Sequence, residues 1–292
     1  MKSPIALHNY LILSHRLNQI SRYVSDWDET ITAQDTIPLL FRWVPDDSPY
    51  KLSYFYKIYM DSYQDYITRQ LPSKPYRARD SIANEIAYQK DMKAVELSSF
   101  EACIRLDIFR GLTKQQLESL YTDVCVKPGF PEFYSKLICR KELQFGILSV
   151  NWSSLFIKKY FKETFGSEVL VSANELSFDS NICTGKSAVD SVNSIRTGYD
   201  KLVQIKLKND HLGRGKFVYI GDSSTDVLAL IYSDLGIIMK GGSAAKQLRQ
   251  MGFRVADINS DVLDNDADSI KFVQIDDWFD ILYMMEPKFL NQ

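Results

Sequence analysis

Two short acidic motifs carry most of the chemistry open to this sequence. Asp26-Trp27-Asp28-Glu29-Thr30 follows the strand-like run Arg22-Tyr23-Val24-Ser25, and Gly221-Asp222-Ser223-Ser224-Thr225-Asp226 follows Phe217-Val218-Tyr219-Ile220. At the carboxyl end of a parallel strand, side chains converge on the crevice where open α/β sheets bind ligands. Two carboxylates brought there repel each other unless a cation sits between them. Gly221 permits a tight turn, and Asp226, four residues after Asp222 on the first turn of the next helix, can face the same crevice. Each motif also has a plainer reading. Asp28 or Thr30 would cap a following helix, and the second motif is good N-terminal helix chemistry in its own right.

The remaining reactive side chains narrow the field. The histidines are His8, His15 and His211, the cysteines Cys103, Cys125, Cys139 and Cys183, and no CxxC or HExxH occurs. Catalysis is therefore expected to run on carboxylates and a hard metal rather than on a Ser-His-Asp triad. Scattered cysteines suit buried thiols in a reducing compartment better than a disulfide framework or a zinc site, which makes a cytoplasmic setting the expectation.

The motifs need strands and helices to hold them. Met1 to Ile20 reads as an amphipathic helix, since a signal peptide would want an apolar core uninterrupted by His8 and Asn9. From Ala33 to Val126 the chain turns helical and rich in tyrosine. Leu52, Tyr56, Tyr59, Tyr63 and Tyr66 recur at three- and four-residue spacings and predict one apolar helical stripe, ended by Pro72 and Pro75. Helical segments follow over Ile82–Lys93 and Val95–Phe109. Gly111-Leu112-Thr113 with Gln116 then predicts a helix stop and a capping-box start.

Alternating strands and helices return after Pro128-Gly129. A helix spans Glu132–Lys141, a strand Gln144–Ser149 ends in Ser149-Val150-Asn151, and a strand covers Glu168–Ser172. Asn174 to Gly185 suggests a small hairpin. Asp200-Lys201 opens a helix through Leu207, a polar turn follows over Asn209–Gly215, and a further strand spans Ile237–Met239. Gly241-Gly242-Ser243 opens a helix over Ala244–Met251, Asp257 to Asp268 is expected to be an exposed loop, and Asp276, Asp277 and Asp280 fall in a last helix.

Bulk composition is that of an ordinary globular protein. The chain has 292 residues, 45% hydrophobic and 25% charged, with 35 basic and 37 acidic side chains for a net charge of −2. This length accommodates one large domain or two modest ones. Near-neutral charge offers no broad field for nucleic acid or an anionic membrane, and no run approaches bilayer-spanning length, so neither is expected among the partners. The sequence does not fix the oligomeric state.

Taken in order, the first acidic motif, Ser149 after a strand, Lys201 before the last motif strand and the Gly221–Asp226 motif resemble the haloacid dehalogenase (HAD) superfamily. The resemblance covers nearly everything after residue 20. It implies an α/β, Rossmann-like doubly wound parallel sheet over 1–33 and 127–292, with a second, smaller all-helical cap domain over 34–126. Asn174-Glu175-Leu176, Thr184-Gly185, Asp200-Lys201, Tyr219 to Ser223 and Gly236-Ile237-Ile238 further resemble the HAD domain that plants fuse to a TenA-type module, a thiamin-monophosphate phosphatase, and also uncharacterised fungal HAD-like proteins.

What the resemblance implies is Mg²⁺-dependent hydrolysis of a small-molecule phosphate ester through an aspartyl-phosphate, possible because a carboxylate is a competent nucleophile once charge repulsion is offset. Asp26 is the nucleophile. The metal ligands are Asp26, the backbone carbonyl of Asp28, and Asp222, with Asp226 orienting metal-bound waters or binding directly. Four carboxylates and a phosphate dianion total about −6 against about +3 from Mg²⁺ and Lys201, so one carboxyl should hold a proton. Asp28 is assigned as that acid and base. Ser149, Asn151 and Lys201 bind the phosphoryl group, with Ser153 as an alternative donor and Lys186 and Lys206 as alternative cations. A phosphotransferase using the same intermediate and a non-catalytic binding protein on the same fold stand as the other classes.

Overall fold

The computed structural model describes residues 2–141, 143–212, 215–263 and 265–291. The strands Phe217–Gly221 and Leu235–Met239 are buried on both faces, which is why they read as continuous apolar runs rather than alternating ones. The strands, in chain order, are β1 (Arg22–Ser25), β2 (Gln144–Leu148), β3 (Leu170–Ser172), β4 (Leu176–Asp179), β5 (Ile182–Ser187), β6 (Phe217–Gly221), β7 (Leu235–Met239), β8 (Ala256–Asp257) and β9 (Phe272–Ile275). Contacts divide the chain into two compact units. The first comprises residues 1–34, 125–148 and 202–292, the second 35–124 and 149–201.

In the first unit six strands run in the order β2-β1-β6-β7-β9-β8, all parallel. Arg22 to Ser25 pair residue for residue with Gln144 to Ile147 on one side and with Phe217 to Ile220 on the other. The chain leaves β1 for β2 and later returns to β6 on the opposite flank, so the strand order reverses at β1. Reversal points of this kind open the ligand crevice of doubly wound sheets at the strands' carboxyl ends. This is the α/β parallel-sheet core that the sequence predicts.

Helices cover this sheet. Pro4–Leu17 begins with Pro at its first position under a Ser3 cap and buries Ala6, Tyr10, Leu13 and Leu17, one stripe of a 3.6-residue period. Trp278–Met285 is capped by Asp277 and buries Trp278, Ile281, Leu282 and Met285. Strand β9 was not anticipated from the sequence, because Phe272-Val273-Gln274-Ile275 is short and follows directly on the acidic stretch.

In the second unit, residues 35–124 are helical. The stripe over Lys51–Gln70 forms as the helix Leu52–Asp65 and a π-helical turn Tyr66–Gln70, but its buried edge differs from the expectation. Tyr56 is 61% exposed, and Phe55, one position earlier and 1% exposed, takes the inward place. A 100° step per residue is enough for that exchange. Tyr66, Tyr88, Met92 and Val95 form a core with Tyr59, Tyr63 and Tyr76 packed on it. Ile82–Arg105 is one helix of 24 residues capped by Ser81. Gly111 at φ 87° and the reciprocal Thr113–Gln116 capping box stand where the sequence places them. Residues 149–201 add the helix Leu155–Phe165, β3 and the antiparallel pair β4–β5. The helix opened by Gly198 extends to Leu212, beyond the expected end at Leu207, and the rest of the predicted polar turn lies partly outside the described residues.

Candidate active site

The acidic motifs meet at the β1–β6 reversal. The backbone N–H of Asp26 donates to the Ile220 carbonyl at 2.9 Å, extending the β1–β6 ladder by one residue and fixing Asp26 at the strand end. Asp26, Asp222 and Asp226 are all buried, and each offers a carboxylate oxygen within 4.8 Å of the others. The Trp27 N–H donates to Asp26 Oδ1 at 2.8 Å. Glu29 adopts φ 56°, a left-handed conformation that non-glycine residues seldom occupy, and this local strain lies in the loop that carries Asp28.

Asp222 is held from two sides. The Thr30 hydroxyl donates to its Oδ1 at 2.8 Å, while its backbone carbonyl accepts the Ala244 N–H at 2.8 Å. Thr30 is fixed in turn, for the Trp278 indole N–H donates to its carbonyl at 3.0 Å. Asp226 accepts from four donors: the Tyr219 hydroxyl at 2.7 Å on Oδ1, and on Oδ2 the backbone N–H groups of Asp222 at 3.1 Å and Ser223 at 3.0 Å with the Ser223 hydroxyl at 3.1 Å. A carboxylate offers about four lone-pair directions, so Asp226 spends most of its capacity shaping the Gly221–Asp226 loop. Burial pushes the Tyr219 phenol well above its ordinary range, and the Asp226 and Asp26 charges push the same way, so it stays a donor. Half-buried Lys127 also senses this site: burial lowers its ammonium, and the charges of Asp222 and Glu29 oppose that fall.

Two glycines make the packing feasible. A Cβ on Gly221 would stand 2.4 Å from Asp226 Cγ, and one on Gly242 would stand 2.2 Å from the Asp222 carbonyl oxygen and 2.4 Å from its Oδ2. Both positions need a residue without a side chain.

The second unit holds the other predicted residues. Ser149, Asn151 and Lys201 are buried there. The Ser149 hydroxyl accepts the Asn151 N–H at 3.0 Å. Asn151 donates to the Thr36 hydroxyl at 3.0 Å and accepts the Ser153 N–H at 3.1 Å, so its amide builds the loop. Ser153 gives its hydroxyl to Glu175 at 2.8 Å and is thereby committed elsewhere. Lys201 is 0% exposed, whereas Lys186 and Lys206 are exposed, which separates the three candidate cations. Asp200 braces the turn before Lys201, accepting the N–H groups of Arg196 at 2.9 Å and Thr197 at 3.0 Å and pairing with Lys93 at 2.7 Å.

The structure thus brings Asp26, Asp222 and Asp226 together in one unit and places Asp28 on the same loop as Asp26. Thr30, Tyr219 and Lys127 were not singled out for these contacts. Tyr219 lies inside an apolar strand, and only its 2-residue offset from Gly221 hints that it shares a face with the motif.

A family model described as haloacid dehalogenase-like hydrolase matches residues 23–230. The chain belongs to this family. The chain is also similar to proteins of fungi and plants. The chain is 28% identical over 250 residues to Cold tolerance protein 1 of Saccharomyces cerevisiae, covering 74% of this chain and 77% of that protein. It is 26% identical over 206 residues to the mitochondrial Bifunctional TH2 protein of Arabidopsis thaliana, covering 67% of this chain and 32% of that one. Among solved structures, a phospho-aspartyl intermediate analogue of phosphoserine phosphatase superposes with TM-score 0.52 at 12% identity, covering 92% of this chain and all of that one. Cytosolic 5'-nucleotidase IIIB bound to cytidine gives TM-score 0.52 at 14% identity, over 98% and 92% of the two chains. These structures share the HAD fold. No described helix is long and apolar enough to cross a membrane.

Proposed function

We propose that the protein is a Mg²⁺-dependent phosphomonoester hydrolase acting on a small phosphorylated metabolite through an aspartyl-phosphate. The observation that carries this reading is the buried Asp26–Asp222–Asp226 cluster at the sheet's reversal point, in a chain of the HAD family. The donor set suits the metal, being hard carboxylate oxygens close together. Asp26, Asp222 and the Asp28 carbonyl are the assigned ligands, and Asp226 orders the loop that presents Asp222. Bound there, Mg²⁺ supplies the positive charge that lets a carboxylate and a phosphate dianion approach.

The chain's own groups do the rest. A carboxylate oxygen of Asp26 attacks phosphorus, forming the acyl phosphate bond as the bond to the leaving oxygen breaks. Asp28 gives that oxygen its proton, then takes one from the water that cleaves the acyl phosphate and restores Asp26. Ser149 and Lys201 donate to the phosphoryl oxygens, and Asn151 holds the loop bearing Ser149. The resemblance to the plant TenA-fused HAD domain makes thiamin monophosphate or a related vitamin phosphate the first substrates to try. The test is hydrolysis of p-nitrophenyl phosphate by purified protein with Mg²⁺, its loss with a chelator, and a panel of thiamin monophosphate, phosphoserine, phosphocholine, pyridoxal phosphate and nucleotides. No turnover of any ester with Mg²⁺ present would overturn the reading.

A further inference from the structure

Among the described residues, one buried charge in the second unit makes no hydrogen bond. Arg196 is 2% exposed, and its Nε, Nη1 and Nη2 all lack a hydrogen-bond acceptor. Its guanidinium carbon lies 3.8 Å from the centre of the Phe100 ring and 6.0 Å from that of Trp152, contacts that occupy the faces of the group and leave its N–H edges unused. Glu96, Asp200 and Glu101 act on it only through space. A guanidinium carries five donors in a fixed fork, and burying them unpaired is costly, so such a site is built for an acceptor that arrives from outside the chain.

Hydrogen bonds tie the backbone next to Arg196 to the loop that follows Ser149. The Asn174 amide donates to the carbonyls of Val150 and Asn151 at 3.0 Å and of Ile195 at 2.7 Å, and accepts the Ile195 N–H at 2.8 Å. That one side chain ties the loop after Ser149 to the residue before Arg196. On the other side Asp200 accepts the Arg196 N–H and neighbours Lys201 in sequence. Arg196 also borders an open cavity of about 490 Å³ whose wall carries Phe100, Ile104 and Val189 beside the charged Glu101, Arg105 and Asp190, a volume that suits a small ligand.

We infer that Arg196 is a specificity-determining residue whose guanidinium binds a carboxylate or carbonyl acceptor on the alcohol portion of the substrate. The inference rests on the phosphatase reading. It favours phosphate esters whose leaving group carries an acceptor on a flat or acidic head, and it disfavours esters such as phosphocholine that carry only a cation. The aromatic wall of Phe100 and Trp152 holds the fork in one orientation, so a planar acceptor can be met by two parallel N–H groups.

Two substrate pairs isolate the acceptor and separate its two sources. Phosphoserine differs from phosphoethanolamine by a carboxylate. Uridine 5'-monophosphate differs from ribose 5-phosphate by a base with two carbonyls. The wild-type enzyme should prefer the acceptor-bearing member of at least one pair by about tenfold or more in kcat/KM, mostly through KM. Arg196→Gln should bring that ratio to about one, and Arg196→Lys should restore part of it. A ratio cancels general damage to the site. No preference in either pair, or one that survives Arg196→Gln, overturns the inference. A second measurement needs no turnover: Arg196→Met should leave the melting temperature of the free protein unchanged or higher, because it removes an unpaired buried charge. A fall of more than about 5 °C would mark the guanidinium as part of the fold and equally overturn it. Failure to hydrolyse p-nitrophenyl phosphate would instead retire the phosphatase reading and leave the melting comparison to judge Arg196.

Discussion

The first unit contains two groups of buried aspartate, and they are built on opposite plans. At the end of β9, Asp280 is a single buried carboxylate, joined by the Lys2 ammonium at 2.6 Å, the Tyr10 hydroxyl at 2.5 Å, the Asn259 amide at 3.1 Å and the Asp276 N–H at 2.8 Å. At the ends of β1 and β6, three carboxylates are packed within 4.8 Å of one another, and the donors described around Asp222 and Asp226 are a threonine, a serine, a tyrosine and backbone N–H groups. One group stores stability, since a charge met by a cation and neutral donors is settled within the chain. The other concentrates like charge, which an added cation and a reaction can turn to use. The Asp280 network fastens the chain's N-terminal helix to its last one.

Five experiments sharpen or break this contrast. The largest effect is expected from Asp26→Asn, which should lower Mg²⁺-dependent hydrolysis of p-nitrophenyl phosphate by on the order of 10³-fold or more while circular dichroism keeps its native form. Asp280→Ala should do the reverse. It strands Lys2 and Tyr10 and should cost about 3–5 kcal/mol, toward the lower figure because the Lys2 side chain is 27% exposed, with activity retained below the melting transition. If both variants lose activity equally at low temperature, the division of labour is wrong. The same group gives a pH signature. Burial works to raise the Asp280 carboxyl, but hydrogen bonds from Lys2 and Tyr10 outweigh it and hold the pKa below its ordinary value. Its contribution is therefore present above an unfolded pKa of about 3.9 and lost as pH falls through the folded value, and a pH series of melting temperatures on Asp280→Asn should lack that acid-side loss.

Metal binding should produce a smaller shift. With Mg²⁺ at about a hundredfold over Kd the wild type should gain about 2.7 kcal/mol, read as a rise in melting temperature, and Asp222→Asn should gain much less. An equal gain in both would remove Asp222 from the metal site. The smallest effect belongs to Glu96 in the second unit. Burial pushes its carboxyl up to about 7, against the Tyr59 hydrogen bond and the Arg196 charge. A raised folded value means that the stabilisation is complete below an unfolded pKa of about 4.3 and is lost as pH rises through 7. Melting temperatures of Glu96→Gln measured from pH 5 to 8 should be flatter than those of the wild type.

Much of this was legible in the sequence because it is local. β1 spans Arg22–Ser25 as read, and the Thr113–Gln116 box forms from residues three apart. Asp26 and Asp222 are readable because an apolar run ending in aspartate marks a strand's carboxyl end. The parts that were missed depend on partners far along the chain. Thr30 reaches Asp222 across 192 positions, and Trp278 reaches Thr30 across 248. Tyr56 and Phe55 exchange places because periodicity gives a helix its face only to within one residue. Arg196 is the extreme case. Its interest lies in contacts it does not make, and a sequence carries no trace of those.

The glycines behind the acid cluster have a consequence for anyone mapping this enzyme by mutation. Gly221 and Gly242 own no reactive atom, yet a single methyl at either would press on Asp226 or Asp222. In a scan of all substitutions these two silent positions should score like nucleophiles. The footprint of the chemistry would then be wider than the set of groups that perform it, and its outer boundary would be drawn by empty space.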